Sequence, residues 1–324
     1  MTQGKRYVIL GLVVLVMGAA RLPLEQGLSV ELSEKGLVPP KLKIDTGDKL
    51  GQTFSAVSLG GLRTLVATFF NIRAFSYFTE QKWSEVAETY NIIVDLAPHT
   101  RYYWDSGSWH QSYNAASYYL YQSNLPAMRR KLAWKESILT GRNFLERGIR
   151  NNPNDPILRQ SLGYLLADPN KILAFGDTGK AFEESYEAYW SAVQTGKARG
   201  FAKRAALYSL ARVPGREEEA LELAREIRSE MSVLPPPTVL GLLYSLRYFA
   251  DPNQSVLELV DDVFPTREIG YEVLGNVWLR SRDRFPVHGS AKALVLLENH
   301  FDIPEAQSIL RRELALPMDP NDYF

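Results

Sequence analysis

The period of its apolar residues is what most constrains this chain. From Leu59 onward they recur at the three-and-four spacing of a helix that buries one side. In "LGGLRTLVATFFNIRAFSYF" the residues Leu62, Leu65, Val66, Phe69 and Phe70 share one face, and a helix of that kind needs a neighbour to cover it. The next segment, "KWSEVAETYNIIVDLAPHT", is placed to be that neighbour. The punctuation is equally informative. In "GRNFLERGIRNNPNDPILRQSLGYLL" (residues 141–166) proline cannot sit inside a helix but suits a first turn. Pro153 therefore closes one helix, while Asp155 and Pro156 are the N-cap and first residue of the next. Further helices are expected around "GKAFEESYEAYWSAV", "FAKRAALYSLARVPGREEEALELAREIRSEM", "TVLGLLYSLRYF", "SVLELVDDVF", "REIGYEVLGNVWLRSR", "SAKALVLLENHF" and "EAQSILRREL". The expected fold class is all-α over residues 59–324.

The first 58 residues read differently. Lys5 and Arg6 precede "YVILGLVVLVMGAA" (residues 7–20), an uncharged run closed by Arg21. This is an export signal. A spanning helix needs about 20 residues, which this run reaches by borrowing Leu22 to Leu24 with Arg21 snorkelling, while the basic pair holds the N-terminal side in the cytoplasm. The alternative is a cleaved signal peptide, for which Gly18 and Ala20 satisfy the small-residue rule. Either way the bulk of the chain is expected outside the cytoplasm, in a periplasm. Residues 1–22 are read as the signal-anchor, 23–58 as a linker in which "KLKID" has the alternation of a short edge strand, and 59–324 as the helical domain.

Within that domain the helix pairs repeat. Tyr90, Ile93 and Pro98 correspond in order to Leu145, Gly148 and Pro153. Pairs that end in proline and restart at once resemble tetratricopeptide repeats, whose first helix carries Trp, Leu-Gly and Tyr. After Pro98, Trp104 falls where the repeat's Trp belongs, and after Pro153, Leu162 and Gly163 fall at its Leu-Gly. The spacing from Pro98 to Pro153 exceeds the repeat's period of about 34 residues, so the second unit needs lengthened helices or an insertion near "YQSNLPAMRR". The resemblance, with the segment after the signal-anchor, is to membrane-anchored tetratricopeptide-type proteins of the bacterial envelope. It implies an α-solenoid of irregular helical repeats with an N-terminal membrane helix, and Leu162 and Gly163 packed on the preceding helix.

Composition and motif exclude more chemistry than they suggest. Lys plus Arg and Asp plus Glu both number 37, so a nucleic-acid partner is not expected. With no cysteine, thiolate catalysis, disulfides and Cys-based zinc sites are excluded. The four histidines form no His-Glu-x-x-His motif, "SLGGLR" lacks the Lys-Ser/Thr of a phosphate loop, and no Gly-x-Ser-x-Gly elbow occurs. "DSGSWH" brings Asp105, Ser108 and His110 together, but consecutive helical positions cannot all face one site. No cofactor, metal or catalytic residue is expected.

One constellation remains. Eight aromatic residues stand between Tyr102 and Tyr121, and on a helix Trp109 and Tyr113 share a face, with His110 and Asn114 on the adjacent strip. They are read either as filling between stacked helices or as a concave surface for an extended segment. A basic run from Arg129 to Arg150 includes Arg142, a second holds Lys197 to Arg204, and the acidic counterpart is Glu217 to Glu230. The runs are read as solvated faces, or as a basic groove for an acidic partner. The partner-binding set is thus Trp104, Trp109, His110, Tyr113, Asn114 and Arg142. The expected role is that of a membrane-anchored scaffold or adaptor binding envelope or inner-membrane proteins through an extended segment, not of an enzyme. The alternatives are a glycan- or peptide-binding module and, more remotely, a helical-repeat lytic glycosidase.

Overall fold

The computed structural model describes residues 62–311, and every regular element among them is helical. They divide into two compact units, one ending at Gly107 and the other beginning at Ser108. The apolar run at 7–20, the linker at 23–58 and its edge strand lie outside the described residues. Among the described residues no helix is long and apolar enough to cross a membrane.

In the first unit α1 (Leu62–Thr79) pairs with α2 (Trp83–Leu96), the turn between them passing through Gln81 at φ 57°. α2 buries Trp83, Val86, Tyr90, Ile93 and Val94. The pairing corrects the sequence reading of α1. Several of its large apolar residues do not turn inward: Leu65, Phe69, Ile72 and Phe75 are 52%, 64%, 61% and 68% exposed, while Ala67 and Ala74 are buried and Val66 and Phe70 half-buried. The reason is steric and polar at once. Small residues let two backbones approach closely, and Asn71, between the two alanines in sequence, accepts a hydrogen bond from the Tyr90 hydroxyl at 3.1 Å. α2 stops at Leu96, two residues before Pro98, and α3 (Arg101–Trp109) starts soon after.

In the second unit the chain continues through two π-helical segments, His110–Ala115 and Tyr118–Gln122, before α4 (Ala127–Asn151). α4 is 25 residues long, and together with α3 and the two π segments it fills the stretch between Pro98 and Pro153. It lies close against the first π segment at Gly141, where any side chain would collide with Ser112 Oγ and the Ser108 carbonyl. The expected turn comes next: α4 ends at Asn151, Pro156 opens α5 (Pro156–Ala167), and the Asp155 carboxylate accepts from the Ile157 N–H at 2.8 Å.

α6 (Thr178–Gln194) and α7 (Ala202–Leu210) pack on α5 in sequence. Gly163 permits this, because a Cβ there would stand 2.7 to 2.9 Å from the Tyr189 ring. Its close neighbour is therefore on the following helix, not the preceding one as the repeat resemblance implied. Ser185 Oγ donates to the Gly163 carbonyl at 2.8 Å and lies 2.8 Å from Ser209 Oγ, a buried polar thread through α5, α6 and α7. The core is completed by α8 (Glu217–Glu230), α9 (Pro237–Ala250), α10 (Val256–Val263), α11 (Arg267–Ser281) and α12 (Ser290–His300). α9 contributes Val239, Leu240, Leu242, Leu243, Tyr244 and Leu246, all buried. Across "EAQSILRREL" a 3-10 turn at Glu305–Gln307 is followed, after an extended Ser308, by helix at 309–311, and the rest of the segment lies outside the described residues.

Candidate functional site

The residues singled out from sequence separate in the structure. Trp104 belongs to the first unit, is 1% exposed and donates its indole N–H to the Pro98 carbonyl at 2.8 Å. It is an interior residue there. Trp109 is 54% exposed and lies on Tyr113 with ring centroids 4.2 Å apart and planes 20° from parallel. Tyr113 in turn stands 6.4 Å from Tyr164 of α5 at 24°, and Lys171 Nζ lies 5.0 Å from the Tyr113 ring centroid. Burial, with the Asp168 carboxylate beside it, pushes the Tyr113 hydroxyl well above the ordinary phenol range. That residue stays neutral at any physiological pH.

His110 and Asn114 are brought together as their spacing implied, with His110 Nδ1 and Asn114 Nδ2 3.3 Å apart. Burial lowers the His110 pKa, so the neutral ring, able to accept from the amide, is the favoured form. Arg142 has a different job. Its Nε meets Glu146 at 2.7 Å, its terminal nitrogen meets Glu184 of α6 at 2.9 Å, and its guanidinium carbon lies 5.7 Å from the Phe175 ring centroid. That charge is already matched across α4 and α6. The basic and acidic runs are matched in part as well, since Lys203 bonds both Glu226 and Glu230 at 2.7 Å. At the start of α4, Arg129, Lys131 and Lys135 are exposed and form no ion pair among the described residues.

Sequence reasoning missed the continuation of the aromatic strip. Beyond Tyr164, which is 57% exposed, a cleft of 510 Å³ opens, lined by Tyr164, Tyr189, Phe201, Arg204, Tyr208 and Pro236. α5 supplies Tyr164, α6 Tyr189 and α7 Arg204 and Tyr208, while Phe201 and Pro236 are the N-caps of α7 and α9. A signal was present: Phe201, Arg204 and Tyr208 in "FAKRAALYSL" stand at helical spacing on one face. It was obscured because Tyr164 and Tyr189, from other helices, are needed to close the wall.

The strip and cleft are mostly apolar, with Lys171 at the Tyr113 ring and Arg204 in the cleft wall, an arrangement suited to seating rings and aliphatic side chains. Among the described residues no group of three or more His, Asp or Glu side chains is placed to hold a metal ion. Compared with models of known protein families and with curated proteins, the chain matches none.

Proposed function

We propose that this protein is a membrane-tethered scaffold of the bacterial envelope, not an enzyme, whose helical surface holds an extended segment of another envelope protein. The observation that carries the reading is the line of rings from Trp109 through Tyr113 and Tyr164 to the cleft beside Phe201. Exposed aromatic side chains beside a concave cleft are what protein-binding hot spots are made from. The helical pairs closed at Pro98 and Pro153, with Tyr90, Ile93, Leu145 and Gly148 all buried, support the relation to tetratricopeptide-type α-solenoids. The tether is residues 7–20, with the helical domain in the periplasm.

The reading is tested in intact cells with a photo-crosslinking amino acid at Trp109, at Tyr164, or at the exposed Met128 as control. The expected result is that positions 109 and 164 attach to one segment of one protein, and that Phe201→Ala weakens the attachment at 164. Attachment no greater than at position 128 would end the scaffold reading, and attachment to glycan would replace it with the glycan-binding alternative. The topology has its own check. A reporter active only in the periplasm should work when fused after Phe324, whereas a mature protein beginning at Arg21 would remove the tether.

A further inference from the structure

Most arginines that cross between elements in the second unit meet a carboxylate. Arg142 meets Glu184, Arg216 meets Glu183, Arg247 meets Asp262 and Arg267 meets Asp261. Arg212 does not. It lies in the turn after α7, just past the C-cap Ala211, and continues the line of Arg204 and Tyr208 by bonding back to the Tyr208 carbonyl. Its guanidinium carbon lies 3.9 Å from the Phe182 ring centroid and 4.9 Å from that of Phe285, held between two faces. Its Nε donates to the Tyr208 carbonyl at 2.8 Å, which fixes the rotation of the fork. Its two terminal nitrogens have no partner among the described residues, and neither Arg204 nor the exposed Arg284 is paired with a carboxylate there.

The environment asks for an anion. Burial, with Arg284 adding its repulsion, pulls the Arg212 pKa down to about 10. Arg212 is half-buried, so its stacked guanidinium is held without a protein counter-charge while its terminal nitrogens stay within reach of a small anion. A guanidinium stacked between rings is already ordered, so it loses little freedom when it grips an oxyanion through two parallel N–H groups. The apolar cleft lies along the same line, at Arg204 and Tyr208.

We propose that the row Arg204–Tyr208–Arg212, with Arg284 beside it, is an oxyanion-binding site: Arg212 grips a carboxylate or phosphate, Arg204 and Arg284 flank it, and the cleft receives the apolar body attached to it. The site shares its cleft with the scaffold reading but stands on Arg212 and its two rings, which that reading does not use. Under that reading it sets the chemistry of the partner segment as an acidic residue next to an aromatic one.

The test uses the full chain in detergent micelles, with thermal unfolding and calorimetric titration against three probes. These are inorganic phosphate, the terminally blocked tripeptide Glu-Phe-Glu, and its neutral analogue Gln-Phe-Gln. Phosphate and the acidic tripeptide should each raise the melting temperature, and the analogue should not. A tripeptide response above that of phosphate assigns the source to a peptide carboxylate, and phosphate alone assigns it to a small anion. Arg212→Met keeps the packing between the two rings and removes the half-buried charge, so it should melt at or above the parent temperature and respond to neither anion. Arg284→Ala, at an exposed position, should weaken the binding roughly tenfold without moving the melting point. No response to either anion in the parent, or an unchanged response in Arg284→Ala, overturns the proposal even if Arg212→Met fails to fold. So does an Arg212→Met protein that binds like the parent.

Discussion

Two stretches of the second unit have similar length and similar wealth of apolar rings, and the structure treats them in opposite ways. α9, "PTVLGLLYSLRYFA", buries its whole middle from Val239 to Leu246: Tyr244 is 0% exposed and its hydroxyl reaches the Gly289 carbonyl at 3.2 Å. "WHQSYNAASYYLYQ", residues 109–122, is wound through two π segments and leaves Trp109 and Tyr121 54% and 72% exposed. The difference lies in what each buries instead. α9 turns leucines and Tyr244 into the core, whereas the π-helical stretch turns in Gln111, Ser112 and Ala115. Hydrophobicity alone does not decide which face goes inside. Small and polar residues that let α4 approach at Gly141 win the interior position, and the large rings are left to the surface.

This contrast predicts the largest effect at its buried end. Tyr244→Ala removes a ring from a full core together with its hydrogen bond, and should lower stability by about 3 to 5 kcal/mol in urea unfolding. Tyr121→Ala should stay within about 0.5 kcal/mol of the parent. Equal losses at both positions would erase the distinction. Gly163→Leu comes next. With the Tyr189 ring already at 2.7 Å from where a Cβ would stand, the larger side chain should cost about 1 to 3 kcal/mol. A thermal midpoint left unchanged would mean that α5 and α6 are not so closely packed.

Trp109→Ala should cost only the stacking on Tyr113, about 0.5 to 1.5 kcal/mol, yet abolish crosslinking from Tyr164 to the partner. A variant that melts far below the parent, with crosslinking lost only in proportion to the unfolded fraction, would move Trp109 to the core side of the comparison.

The smallest effect belongs to His110. Its folded pKa lies below the ordinary value, so the unfolded chain takes up the proton first as pH falls. The stability it contributes is complete above the unfolded pKa of about 6.5 and is lost as pH drops through that value toward the folded one. Urea midpoints at pH 7.5 and 5.5 should therefore differ less in His110→Gln than in the parent. A difference of the same size in both would put the pH response on other groups.

The features that could be read in the sequence were those that depend on neighbours in the chain. Asp155 and Pro156 cap a helix through groups two residues away, and the pairing of His110 with Asn114 comes from helical spacing, so both were legible. In "EEEALELAREIRSE" the helical spacing of Ala220, Ala224 and Ile227 likewise marks the face that is buried. The inward face of α1 was misjudged because Ala67 and Ala74 are weak apolar signals beside Phe69, although close approach favours them. The cleft and the isolation of Arg212 depend on which helices meet. Glu146, four residues along the same helix, is a local partner for Arg142, but its second carboxylate, Glu184, and the lack of any at Arg212 are settled by other helices.

The π segments also bear on how this chain tolerates change in length. A π turn holds one residue more than an α turn, and the bond from Ala116 N–H back to the Gln111 carbonyl is such a wider loop. Deleting one residue between His110 and Ala115 would leave a continuous helix, so an inserted or lost codon there need not break the fold. The π turn takes up the change locally, closing as an α turn with the helix on either side in register, while a residue lost between Trp109 and Tyr113 shortens their spacing from four to three and carries the Trp109 ring off its partner. Single-residue insertions and deletions in this segment are therefore a means of re-aiming the exposed ring without redesigning the core beneath it.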